Sequence, residues 1–179
     1  MRVAPRATSL PPDMKPAHIT DPRLQHILQS WAPRRRDGLP PRRADITPAE
    51  LGPAQLRHLN IVEVVREPGM PLAFRHRLVG TYNIEWLGRD STGKMLDEKL
   101  YGAMAPAIIA SFTRIVEEAK PFYRVVRMDW HDKRHLMNES VDLPLSDENH
   151  AVAMILRGAI FRHATDMDCG SERFEVIDI

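Results

Sequence analysis

FYRVVRMDWHDKRHLMNESVDLPLSDENHAVAMILRGAIF, residues 122–161, reads as three strands in succession with no helix between them. The strands fall at about residues 122–130, 135–145 and 151–161. His131-Asp132-Lys133-Arg134 and Ser146-Asp147-Glu148-Asn149 are polar breaks of hairpin length. Strands joined so tightly pair antiparallel, because a parallel connection needs a crossover of about a dozen residues.

Upstream of them, residues 101–119 form the strongest helix of the chain. Met104, Ile108, Phe112, Ile115 and Ala119 recur on one side, and Ile109 and Val116 widen the stripe. Pro106 belongs in the first turn, so the regular part begins near Ala105. Residues 81–87 read as a short helix closed by Gly88. Residues 58–66 (HLNIVEVVR) and 74–79 are strands joined through the turn Glu67-Pro68-Gly69-Met70-Pro71. Strict alternation puts Phe74, His76 and Leu78 on one face of the second strand and Arg75 and Arg77 on the other.

Nearer the N-terminus, Thr47-Pro48-Ala49-Glu50 combines a cap, a proline at the first helical position and an N3 carboxylate. A short helix over 47–52 follows, stopped by Gly52-Pro53. Asp21-Pro22 opens another helix by the same chemistry. Its Leu24, Ile27, Leu28 and Trp31 make one apolar stripe, and Pro33 ends it. That stripe packs either on its own domain or on the same helix of a second subunit. The order of elements predicts an α+β fold: a five-stranded antiparallel sheet covered on one face by helices, with an N-terminal flanking helix. Strand–helix alternation of the doubly wound kind is absent. The expected divisions are a disordered leader (1–18), helix and Arg/Pro linker (19–46), main domain (47–163) and C-terminal tail (164–179) with a short strand at 174–177.

Composition narrows the function. The 43% apolar and 27% charged fractions are those of a globular protein, and 25 Lys and Arg against 24 Asp and Glu leave a charge of +1. No surplus of positive charge exists overall for gripping a nucleic-acid backbone. The linker arginines Arg34, Arg35, Arg36, Arg42 and Arg43 therefore read first as a solvated loop, and nucleic acid is not an expected partner. Cys169 is the single cysteine, so no intrachain disulfide or thiolate metal cluster forms, and a cytoplasmic setting is expected. The leader lacks the apolar run of a secretory signal, and no stretch is apolar enough to span a bilayer.

Four short motifs carry a resemblance. Residues 39–48 (LPPRRADITP) are similar to the LPxRxDIxP motif of a bacterial single-PAS-domain family long catalogued as a domain of unknown function. Residues 74–81 (FRHRLVGT), 88–94 (GRDSTGK) and 143–146 (LPLS) resemble its FRYRLVGT, GRDLTG and LPLS motifs. The match runs over about residues 21–162. Pro41 is an insertion relative to the family, and Ser91 stands where a larger apolar residue is usual. The resemblance implies a PAS fold and a sensory or dimerising role, and it brings no catalytic residues.

The residues exclude several chemistries. The helix over 101–119 has no His for haem of the oxygen-sensing type, and Cys169 lies in the tail rather than in a flavin-photoadduct or chromophore position. Phosphate-loop, zinc-hydrolase and nucleophile-elbow motifs are missing, so no enzyme is expected. Asp129, His131 and His135 flank a hairpin turn, where polar turn residues explain the same letters as a metal site. His76 reads as a hydrogen-bonded core histidine, and Ser91-Thr92 as a capped turn before an anion nest. The expected functional site is the space between sheet and helices, walled by Leu78, Tyr82, Trp86, Met95, Ile108, Phe112, Met128 and Met154, with Arg77, Tyr82 and Arg124 as polar contacts. The plainer reading of those residues is a packed core. The cofactor, if one exists, has no signature.

The function expected is a non-catalytic sensory domain that binds a small ligand or signals through protein contacts. Its partners are a second copy, through Leu24, Ile27, Leu28 and Trp31, and a separate signalling protein, since the remaining residues leave no room for an output module. The alternatives are a ligand-free dimerisation module and, more remotely, a nucleic-acid-associated regulator.

Overall fold

A computed structural model describes residues 18–128, 132–169 and 171–179. The expected leader, and Asp129 and His131 of the metal reading, lie outside the described residues apart from His18. Six strands form a single antiparallel sheet: β1 Leu59–Val65, β2 Ala73–Val79, β3 Phe122–Arg127, β4 Leu136–Ser146, β5 Val152–His163 and β6 Arg173–Val176, in the spatial order β2-β1-β5-β4-β3-β6. The expectation of five strands is thus corrected to six. The tail returns along the edge of β3, where Phe122 pairs with Val176 and Arg124 with Phe174. That sixth strand is the short one expected at 174–177, and pairing with the open edge of β3 joins it to the sheet.

Local sequence sets the helix ends as expected. α1 (Pro22–Trp31) begins at Asp21, whose carboxylate accepts from the Arg23 amide at 2.9 Å. α2 (Pro48–Leu51) carries a capping box, with Glu50 accepting from the amide and hydroxyl of Thr47 at 3.0 Å each. Gly52-Pro53 does not stop the helical path but restarts it as α3 (Pro53–Leu56), since proline at a first helical position is favourable. α4 (Thr81–Leu87), the single turn α5 (Glu98–Tyr101) and α6 (Ala105–Glu118) complete the set.

Helices cover both faces of the sheet, not one. α6 lays Ile108, Phe112 and Ile115 on the inner face, against Phe74, Val62, Phe122 and Ile155. α4 adds Tyr82, Trp86 and Leu87 over Met128, Leu136 and Phe161. α1 covers the outer face, with Leu24, Ile27, Leu28 and Trp31 fully buried against β4 and β5 residues including Val141, Leu143 and Leu156. Each such side chain contributes about 1.5–3 kcal/mol relative to exposure. The stripe assigned to a partner therefore lies on its own domain. Trp31 is further held by a hydrogen bond from its Nε1 to the Pro144 carbonyl at 2.9 Å.

The family-like motifs interlock. Ser146, ending LPLS, donates its hydroxyl to the Pro40 carbonyl at 3.0 Å and its amide to the Pro41 carbonyl at 2.9 Å. Gly80, ending FRHRLVG, donates to the Leu59 carbonyl at 2.8 Å. A Cβ there would lie 2.3 Å from the Arg57 carbonyl oxygen and 2.6 Å from that of Leu59. Backbone cannot yield as a side-chain tip can, so Gly80→Ala is expected to destabilise by about 1–3 kcal/mol. A lower urea midpoint at unchanged slope would show it; an unchanged midpoint would mean that the contact relaxes freely.

Candidate ligand cavity on the inner face of the sheet

Period-two alternation carries a row of polar residues across the inner face. Asn60, Arg157 and Asp142 lie side by side on β1, β5 and β4, and Arg124 follows on β3 one row on, opposite Ser140. Phe112 of α6 lies above them, with the guanidinium carbons of Arg124 and Arg157 at 5.4 and 5.9 Å from its ring centre. Between this row, α6 and the segment after α4 is a cavity of about 60 Å³, also lined by His76, Arg89, Ser91, Tyr101 and Asn138. That is room for a few waters or a ligand of a few heavy atoms.

Asp142 is fully buried, and its two oxygens lie 3.3 Å from Arg124 Nε and 3.3 Å from Arg157 Nη1. Neither contact has hydrogen-bonding geometry, so the carboxylate oxygens and the Nε and Nη2 of Arg124 are left without hydrogen-bond partners. Arg157 donates its Nη2 to Asn138 Oδ1 at 2.7 Å. Burial pulls the Arg124 pKa down to about 10 against the opposing pull of Asp142, which still leaves it charged at neutral pH. Arg89, half-buried, donates to the Leu100 carbonyl at 2.7 Å.

His76 Nε2 and the Tyr101 hydroxyl share a hydrogen bond of 2.7 Å, while His76 Nδ1 has no partner. Burial, then the positive charges of Arg157 and Arg89, lower its pKa from the ordinary 6.5 to about 4. The ring is neutral at pH 7.

Of the expected wall residues, Ile108, Phe112 and Met128 line the cavity, as does Arg124 of the polar contacts. Tyr82 and Trp86 lie beside it, packed on Phe161, and the Tyr82 hydroxyl donates to the Phe161 carbonyl at 3.2 Å. Leu78 and Met154 are corrected to the opposite face. Val62 pairs with His76 and Ile61 with Leu78, so a bulge at Arg77 reverses the alternation and swings Val79 inward in place of Leu78. Met154 pairs with Glu63 and Leu145, on the α1 side. Met95 bridges to Arg75 and Arg77 is exposed, both away from the cavity. His76 is the hydrogen-bonded core histidine that its sequence position suggested, while Asp142, Arg157, Arg89 and its partner Tyr101 went unassigned by sequence. The available signal was a charged residue inside an apolar strand: Arg157 in AVAMILRGAIF and Asp142 in SVDLPL.

Elsewhere, three of the five linker arginines bond to the chain itself. Arg34 Nη2 pairs with Glu50 at 2.8 Å, Arg35 Nη1 donates to the Ile179 carbonyl at 2.8 Å, and Arg43 Nη1 to that of Ile46 at 2.8 Å. The 88–94 turn closes through Asp90 Oδ1, which accepts from the Thr92 amide at 2.8 Å. Among the described residues, no group of His, Cys, Asp and Glu is arranged to hold a metal, and no helix is long and apolar enough to cross a membrane.

The His76 site has a signature in pH. Its folded-state pKa is depressed, so the unfolded chain takes up a proton first as pH falls below about 6.5, and stability declines toward about 4. The slope from His76 approaches about 1.4 kcal/mol per pH unit. His58, also lowered by burial, adds to it. Unfolding free energies between about pH 6.5 and 5 are expected to show a shallower slope in His76→Gln; an unchanged slope would mean that the buried ring takes up its proton normally.

No curated protein and no solved structure matches the chain. A family model does, over residues 19–160, described as PAS domain. That span takes in α1, the hairpin, α6 and the three strands that follow, well over half of the chain. The chain belongs to the PAS domain family.

Proposed function

We propose that the chain is a non-catalytic sensory module that holds a small ligand in the inner cavity and reports its presence through contacts of the outer face. The observation that carries this is a cavity of about 60 Å³ walled by buried polar atoms without partners. Native interiors normally satisfy such atoms, and each left unmade costs about 1–3 kcal/mol. A ligand supplying partners recovers that cost.

A route outward exists in β5. Arg157 faces the cavity, and the next residue, Gly158, faces α1 so closely that an added Cβ would lie 2.5 Å from Ile27 Cδ1. A movement of Arg157 on binding bears directly on α1, provided the ligand prefers one of two arrangements. The protein retained from its native cells is expected to show an excess mass in native mass spectrometry that disappears on denaturation. A clean protein mass, with no change in the amide signals of β5 and α1 on titration with a metabolite extract, would sink the ligand reading.

A second reading, a dimerisation module, is favoured by an apolar hollow of about 190 Å³ on the outer face between α2, α3 and β1–β2. Leu56 and Leu78 at its rim are 36% and 43% exposed. Sedimentation at rising concentration is expected to show a dimer that Leu78→Asp dissociates. A monomer throughout would discard this reading and leave the cavity reading untouched.

A further inference from the structure

We infer that the cavity's ligand is a small oxyanion, a carboxylate or phosphoryl group, held by Arg124, Arg157 and Arg89; the inference rests on the ligand reading above and specifies its chemistry. Three guanidiniums converge on the space, and none of the described residues that line it is acidic. Asp142, behind the wall, is the carboxylate that Arg124 and Arg157 share, so one buried positive charge lacks a counter-charge even before Arg89 is counted. Arg124 is 6% exposed and its Nη2 has no hydrogen-bond partner. An uncompensated buried cation is strongly unfavourable, and a planar fork of donors matches the oxygens of a carboxylate or phosphate.

The neighbours are consistent with an anion and with no other charge type. Arg124 is held over Phe174 at 4.6 Å and Phe112 at 5.4 Å, which fixes its plane without using its donors. Asn138 Oδ1, the polar acceptor nearest to Arg157, is already taken by that residue's Nη2. A cationic ligand would meet three like charges, and a neutral one would leave the surplus in place. The cavity's volume admits an anion of about four to six heavy atoms.

Isothermal titration and side-chain Nε–Hε NMR signals of the arginines, with sodium acetate and inorganic phosphate as probes against acetamide and equal chloride, test this. Equal chloride controls for the general screening of charges by salt. Saturable binding of acetate or phosphate that moves the Arg124 and Arg157 signals is expected, and the tighter of the two probes identifies the ligand's group. Arg124→Gln is expected to weaken it by about tenfold or more, and Arg89→Gln, at a half-buried position that tolerates substitution, by a smaller factor. Asp142→Asn, which removes the competing carboxylate, is expected to tighten it; purely structural roles for these arginines would give no such opposite signs. Absence of saturable binding by either anion would overturn the inference. If native mass spectrometry then still showed a retained neutral molecule, the ligand reading would stand with different chemistry; if it showed none, both would fall.

Discussion

β4 and β5 pair from Leu136–His163 to Ser146–Val152 and are buried on both faces along most of their length. A sheet with such a centre is unstable until each face is covered, and the rest of the chain is arranged around that requirement. α6 and α4 close one side and α1 the other, while the segment at residues 39–42 ties to the end of β4 through Ser146. α1 is thus part of the domain's core rather than an appendage. Its removal would expose Val141, Leu143 and Leu156, which are nearly inaccessible in the folded chain.

Against this apolar frame, the inner-face row of Asn60, Arg157, Asp142 and Arg124 is anomalous. A sheet built for stability alone would place apolar side chains there, since replacing a buried ion pair by well-packed hydrophobes is often neutral or favourable. Here two guanidiniums share a carboxylate at 3.3 Å without good hydrogen-bond geometry. Violations of core-building rules cluster at functional sites. Burial, then the charges of Arg157 and Arg89, keeps His76 neutral, so the cavity's charge comes from its arginines across the physiological pH range.

Alternation along a strand gives neighbouring residues to opposite faces of the sheet. Arg157 and Gly158 are adjacent in sequence yet belong to opposite surfaces, one to the cavity and one to the seat of Ile27. A close-packed interior transmits small displacements rather than absorbing them. Under the proposed ligand reading, a molecule beside Arg157 would lie one residue along β5 from the seat of the helix that closes the outer face.

Much of the fold was legible locally. Asp21-Pro22 and Thr47-Pro48 mark helix starts because caps act within one turn. The stripe of Ile108, Phe112 and Ile115 and the strands at 122–161 follow from periodicity, and the motifs around Gly80 and Ser146 pointed to the PAS family, which the match over residues 19–160 shows. What sequence could not place were the features that depend on register between distant segments. The bulge at Arg77 moved Leu78 to the outer face, the tail at Arg173–Val176 became a sixth strand only through β3's open edge, and α1 found its partner in the same chain. Arg124, Asp142 and Arg157 are 18 and 15 residues apart along the chain. Only the pairing of β3, β4 and β5 brings them to one cavity, since a cross-strand neighbour is defined by hydrogen-bond register and not by spacing.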